Sequence, residues 1–209
     1  MILVKQESVG KGRIKLFFDD DTSFVLYRGE AAKLALSEGM EISEELYEQI
    51  LQDILLKRAK LRCMNLLKSM DQTEYQLRTK LIRGGYPECV AELAIEYVKS
   101  FHYVDDVRYA TAYIESRSKS RSARQIKQEL MQKGVSAEDM EQAFSEAETS
   151  SETQVIRELA RKKKMNLKDP EPAELQKYYG FFMRKGFSFS AVRKVLQKGE
   201  VCEENDTFT

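Results

Sequence analysis

Between residues 74 and 187 one arrangement of apolar and polar positions occurs three times: an apolar residue, a second four places on, a glycine four after that, then an apolar or aromatic residue. The copies read Leu77, Leu81, Gly85, Tyr86; Ile126, Leu130, Gly134, Val135; and Tyr178, Phe182, Gly186, Phe187. A spacing of four puts the apolar pair on one helix face, and glycine most easily takes the left-handed stop after the last turn. Each phrase therefore predicts a helix that ends at its glycine. The flanks agree. Thr73 with Gln76 and Ser122 with Gln125 read as capping boxes ahead of the first two copies, and Pro172, a favoured first helical residue, stands ahead of the third. Pro87, Ser136 and Ser188 each follow a glycine by two places and open another helix.

Upstream of each pair lies one more helical stretch, carried by Leu61, Met64 and Leu67, by Val107, Ala110, Tyr113 and Ile114, and by Val155, Ile156, Leu159 and Ala160. With glycines 49 and 52 residues apart, the pattern is that of tandem helical repeats. The expected fold is mainly α: three three-helix repeats forming an elongated curved array, with a small β-rich N-terminal extension. The expected boundaries are 1–42 for the extension, 43–103 for a long lead-in helix and the first repeat, 104–150 for the second and 151–199 for the third. An acidic, disordered tail is expected at 200–209. Leu77, Leu81, Ile126, Leu130, Tyr178 and Phe182 form the repeat core, and Gly85, Gly134 and Gly186 the turns.

The extension reads differently because its apolar residues alternate. Residues 12–18 and 22–28 are β-rich around Asp19, Asp20 and Asp21, which predicts a hairpin, and residues 1–4 supply a third strand. A short helix stops at Gly39, and Ser43 with Glu44 and Glu45 caps a long helix running towards Ser69.

Equal numbers of basic and acidic residues, 34 of each, argue against an indiscriminate nucleic-acid binder. Their distribution changes that picture. Residues 1–53 hold six bases and eleven acids, residues 54–103 nine and five, residues 104–150 seven and nine, and residues 151–199 twelve and five. Arg117, Lys119, Arg121, Arg124 and Lys127 follow one another without an acid, and Arg161, Lys162, Lys163 and Lys164 form a second run. For either run alone a solvated helix face is the simpler reading; together they suit phosphates or an acidic protein surface. The aromatics Tyr178, Tyr179, Phe181 and Phe182 span an arc of about 160° on a helix and read as core.

Catalytic chemistry is hard to assemble from this chain. His102 is its one histidine, so mechanisms and metal sites needing two imidazoles are excluded. Gly10, Lys11 and Gly12 lack the Ser or Thr of a phosphate loop, and the Asp19–Asp21 triplet reads as a solvated turn. Cys63, Cys89 and Cys202 are widely spaced and odd in number, which predicts reduced thiols rather than a disulfide framework or zinc site. No enzyme activity, cofactor or metal is expected. No apolar run approaches a membrane span and the N-terminus lacks a signal-peptide pattern, so a cytoplasmic protein without membrane contact is expected.

The junction Phe101-His-Tyr-Val-Asp-Asp-Val-Arg-Tyr-Ala110, followed by Tyr113, Ile114 and Arg117, resembles the RecX family of RecA regulators. So do Gln125-Ile-Lys-Gln-Glu-Leu-Met-Gln-Lys-Gly134 and Arg184-Lys-Gly-Phe-Ser188, and the similarity spans about residues 55–198. Ser120, Arg121 and Ser122 stand where many members have a glycine before the cap. The resemblance implies a non-enzymatic modulator that binds RecA and its filament on single-stranded DNA, inhibiting or modulating recombinase, ATPase and coprotease activity in DNA repair and the SOS response; a monomer is expected. Charge placement then assigns filament or DNA contact to Arg117, Arg121, Arg124, Lys127, Arg161, Lys162, Lys163, Lys164, Arg184 and Lys185. A helical repeat protein that binds DNA directly, or a general protein-binding scaffold, is the alternative reading.

Overall fold

Strict alternation makes the first sheet. In β2 (Arg13–Phe18), Ile14, Leu16 and Phe18 point inward and are buried, while Arg13, Lys15 and Phe17 point out. The strand pairs antiparallel with β1 (Leu3–Ser8) and β3 (Ser23–Tyr27), giving the order β1-β2-β3, and the Asp19–Asp21 triplet forms the second turn, with Asp21 at φ 63°. The computed structural model describes residues 1–167 and 170–197, so the tail expected at 200–209 lies outside the described residues.

A three-stranded sheet has two exposed edges, and this one closes both. On the β1 side Leu3 donates to the Met40 carbonyl at 2.9 Å and accepts from Gly39 N–H at 2.8 Å. On the β3 side Val25 N–H donates to the Gly85 carbonyl at 3.0 Å. That bond ties the sheet to the first repeat.

Helix α1 (Arg28–Lys33) is short, and Ser43 caps α2 (Glu44–Gln49), accepting from Leu46 N–H at 3.2 Å. The long helix expected here is interrupted by a π-helical segment, Ile50–Leu56, before α3 (Lys57–Ser69). Ile50 and Leu55 are both fully buried. In an α-helix positions five apart diverge by about 140°, whereas i→i+5 pairing widens the turn and brings both towards the core. In α3 the buried positions are Ala59 and Cys63, whose thiol burial pushes up to a pKa of about 11, while Leu61 faces water.

With α4 (Glu74–Arg83) and α5 (Glu88–Ser100), α3 completes a three-helix repeat whose core is continuous with the sheet: Leu16, Phe24 and Leu26 share one cluster with Leu55, Leu77, Leu81 and Ile95. Arg58 secures the seam. Its guanidinium pairs with Glu30 at 2.6 Å, donates to the Val25 carbonyl at 2.9 Å and lies over the Tyr27 ring at 4.7 Å. Thr73 and Gln76 form the expected capping box, with both bonds at 3.2 Å, and the Asp106 carboxylate caps α4 as well, accepting from Glu74 N–H at 3.0 Å.

The chain divides into two compact units, Met1–Asp106 and the part from Val107 onward. The second contains α6 (Asp106–Ser118), α7 (Ala123–Gln132) and α8 (Ala137–Glu146), then α9 (Glu152–Lys162), α10 (Pro172–Arg184) and α11 (Phe189–Gln197). Ile114, Ile126, Leu130 and Met140 are buried in one cluster, and Val155, Ile156, Phe182, Phe187 and Val192 in another.

The recurring phrase has one geometry in all three places. Gly85, Gly134 and Gly186 take φ values of 85°, 81° and 77°. The residue after each glycine donates back to the second apolar residue's carbonyl: Tyr86 to Leu81 at 3.2 Å, Val135 to Leu130 at 3.1 Å, Phe187 to Phe182 at 3.2 Å. An apolar contact across the turn commonly accompanies this six-to-one closure, and Phe182 and Phe187 make it edge to face at 5.9 Å.

Candidate phosphate-binding groove

Ser122 precedes α7 and has two hydrogen-bonding tasks. Its hydroxyl oxygen accepts from Gln125 N–H at 3.2 Å, capping the helix, and its proton goes to the Lys185 carbonyl at 2.6 Å. The second bond clamps the α10–α11 turn onto the amino end of α7. Gly186 permits the approach, because a Cβ there would lie 3.0 Å from Ser122 Oγ and 3.5 Å from Arg124 Cβ. Gln125 does not return the bond that a full capping box needs; its Oε1 is buried without a hydrogen-bond partner.

The clamp leaves a groove of about 250 Å³ beside it, lined by Arg124, Gln125 and Gln128 of α7 and by Met183, Arg184, Lys185 and Gly186. Among the described residues no carboxylate lines it. Arg124 and Arg184 are exposed, and Arg184 lies back along α10 over Gly180, where a Cβ would come within 3.2 Å of Nη1. Lys185 packs its ammonium 5.4 Å from the Phe181 ring. Three basic residues thus line one trough at the amino end of α7, an arrangement that suits phosphate oxygens.

The remaining basic residues named from sequence are elsewhere. Arg121 pairs with Glu129, whose other oxygen accepts from the Tyr113 hydroxyl at 2.6 Å. Desolvation first, and that bond second, raise the Tyr113 pKa. Arg117 lies over Tyr113 at 5.4 Å and Lys127 over Phe144 at 5.1 Å. Arg161 and Lys162 close α9, followed by Lys163 and a left-handed Lys164 at φ 53°. Glu152, at the opposite end of α9, accepts from Ser188 N–H at 2.9 Å beside the α10–α11 turn. That places the 161–164 run about 15 Å along the helix from the turn, where four cations complement the helix carboxyl end. Gln128 and Met183 had no signal in the sequence beyond a four-residue spacing from Arg124 and a place next to Arg184. Among the described residues no cluster of three or more His, Cys, Asp or Glu side chains could hold a metal, and no helix is long and apolar enough to cross a membrane.

Ser122→Ala is expected to cost about 2 kcal/mol, roughly half from the lost cap and half from the unpaired Lys185 carbonyl. Ser136→Ala, which removes the cap of α8 and an exposed local bond to the Asp139 carboxylate but no contact with another element, should cost about 1 kcal/mol. Urea titration of the two variants distinguishes them, and equal losses would remove the clamp from the account.

Family models for the first, second and third three-helix domains of RecX match residues 59–97, 105–143 and 151–196. The regulatory protein RecX of Clostridium botulinum (strain Alaska E43 / Type E3) is 29% identical over 195 residues, covering 90% of each chain. The regulatory protein RecX of Caldanaerobacter subterraneus subsp. tengcongensis is 30% identical over 196 residues, covering 93% of this chain and 96% of that one. A crystal structure of a regulatory protein RecX has the same fold, with a TM-score of 0.60 at 23% identity over 94% of this chain and 98% of the other. RecX from Lactobacillus salivarius aligns with a TM-score of 0.58 at 17% identity, covering 71% of this chain and 98% of that one.

Proposed function

The chain belongs to the RecX family, and from that premise we propose that it is a non-enzymatic regulator which binds RecA and its filament on single-stranded DNA in the cytoplasm. Binding suppresses ATP hydrolysis, strand exchange and coprotease activity. The observation that supports this best is the groove beside the Ser122 clamp, lined among the described residues by Arg124, Arg184 and Lys185 and by no acid, in a chain with as many acids as bases. A chain of zero net charge is not drawn to nucleic acid at large, whereas one trough with Arg124, Arg184 and Lys185 holds a phosphate run locally. A filament offers phosphates and protein together, and several modest contacts along it reinforce one another through effective concentration. Of the other basic residues named from the sequence, Arg117, Lys127 and Arg161 to Lys164 belong to this reading as secondary contacts, while Arg121 is held by Glu129.

The test is ATP hydrolysis by RecA on single-stranded DNA, titrated with the full chain. Inhibition at less than one molecule per RecA is the expected result. Hydrolysis unchanged at equimolar protein would overturn the proposal, and strong shifts of naked DNA without any effect on the coated strand would favour a direct DNA binder instead.

A further inference from the structure

Among the apolar side chains of the first unit that stand in water, Leu61 is 62% exposed, Tyr97 38%, Phe101 53% and Tyr103 49%. Their arrangement is ordered. The four-residue spacing of Leu93, Tyr97 and Phe101 places them along one stripe of α5 and its cap. His102, left-handed at φ 57°, turns the chain back so that Tyr103 stacks on Phe101 at 5.9 Å and 23°. Tyr97 meets the other side of this pair, edge-on to Phe101 at 5.1 Å and 66°.

Beside the rings lies a helix without acids. Residues 54–70 contain Lys57, Arg58, Lys60, Arg62 and Lys68 and no Asp or Glu. Lys57, Lys60, Leu61 and Lys68 share one α3 face by their spacing of three, four and eleven. Lys57 is paired with Asp53, but Lys60 is in no ion pair among the described residues and holds its ammonium 4.3 Å from the Tyr97 ring centre. That contact joins the lysine face to the aromatic stripe.

Rings in a row beside Lys60, which no described carboxylate pairs, suit a chain that alternates flat apolar groups with negative charge. Single-stranded nucleic acid is that chain, since its bases are free to stack while its phosphates meet lysines. A duplex hides its base faces, and an acidic peptide would satisfy the lysines while leaving the rings wet. We infer that Tyr97, Phe101 and Tyr103, with Lys60, form a base-stacking platform for single-stranded nucleic acid. The inference deepens the proposed function and rests on single-stranded DNA being part of the ligand; it adds a site for the bases, in the first unit, to the phosphate groove of the second.

The full chain, with RecA absent, is titrated into a labelled oligo(dT) of about 15 nucleotides and into an abasic oligomer with the same number of phosphates. Oligo(dT) should bind about tenfold tighter, and the double variant Phe101→Ala, Tyr103→Ala should bring it down to the abasic affinity with an unchanged salt slope. Equal binding of both oligomers by the unaltered chain, or a base preference that survives in the variant, overturns the platform. So does a variant that keeps its base preference and loses affinity for RecA protein alone, which makes the stripe a protein contact. Should the variant lose its helical circular dichroism, the unaltered chain is photocrosslinked to oligo(dT) carrying 5-iododeoxyuridine. Adducts within residues 97–103 support the assignment, and adducts confined to other segments reject it. Because RecA does not enter the binding arm, its failure leaves the ATPase titration standing, and the reverse holds.

Discussion

Gly85→Ala is expected to destabilise the first unit by about 4 kcal/mol, far more than its backbone conformation alone accounts for. At φ 85° an alanine is strained by about 1–2 kcal/mol. The larger part is steric. The new Cβ would lie 2.2 Å from Val25 Cγ2 and 2.8 Å from Val25 Cβ, and Val25 cannot retreat without breaking its bond to the Gly85 carbonyl at 3.0 Å. Overpacking and the lost hydrogen bond add about 2–3 kcal/mol. Gly39→Ala is the control, since Gly39 has φ 83° and nothing within 4 Å of its Cβ position; it should lose only about 1–2 kcal/mol. Val25→Ala in the Gly85→Ala background removes the nearer contact and should restore part of the loss. Urea midpoints for the three variants decide the matter, and equal losses at Gly39 and Gly85 would refute the steric account.

Replacing Arg124, Arg184 and Lys185 together by Gln should weaken binding to single-stranded DNA at least tenfold at about 0.1 M salt. With three phosphate contacts gone, the slope of log affinity against log salt should flatten by about two. Replacing Lys162, Lys163 and Lys164 by Gln removes the same charge at the far end of α9 and should change both quantities much less. Equal effects from the two triples would mean that affinity follows net charge rather than the groove. The comparison is clean because none of the six side chains is buried.

What sequence could and could not convey follows from how far apart the interacting residues are. The three helix endings were legible because their closure involves an apolar residue, a glycine and another apolar residue within six places. The Thr73 box was legible for the same reason. Ser122 and Gln125 carry an identical local signal, yet Gln125 returns no bond and the box is left half made, while the Ser122 hydroxyl also donates to Lys185, 63 residues away. Nothing local announces that bond, so the groove was invisible while its cations were in plain view. Arg121 and Arg124 look alike in the basic run; one is spent on Glu129 and the other faces the groove, a difference set by packing. Leu61 read as an ordinary apolar helix position, and only the fold placed it outside. The π-helical segment was likewise hidden, since Ile50 and Leu55 are apolar residues that suit an α-helix equally well.

The edge of β3 has a further consequence, for synthesis. Val25 leaves the ribosome long before its partner: Gly85 is sixty residues later in the chain. At about 5–20 residues per second the hairpin waits roughly 3–12 s with that edge unpaired. During this interval the nascent chain offers Phe24, Val25 and Leu26, all buried in the finished protein, to any extended strand that meets it. Emergence of the first glycine turn ends that exposure, so a chain stopped in translation between the hairpin and residue 85 keeps that edge open.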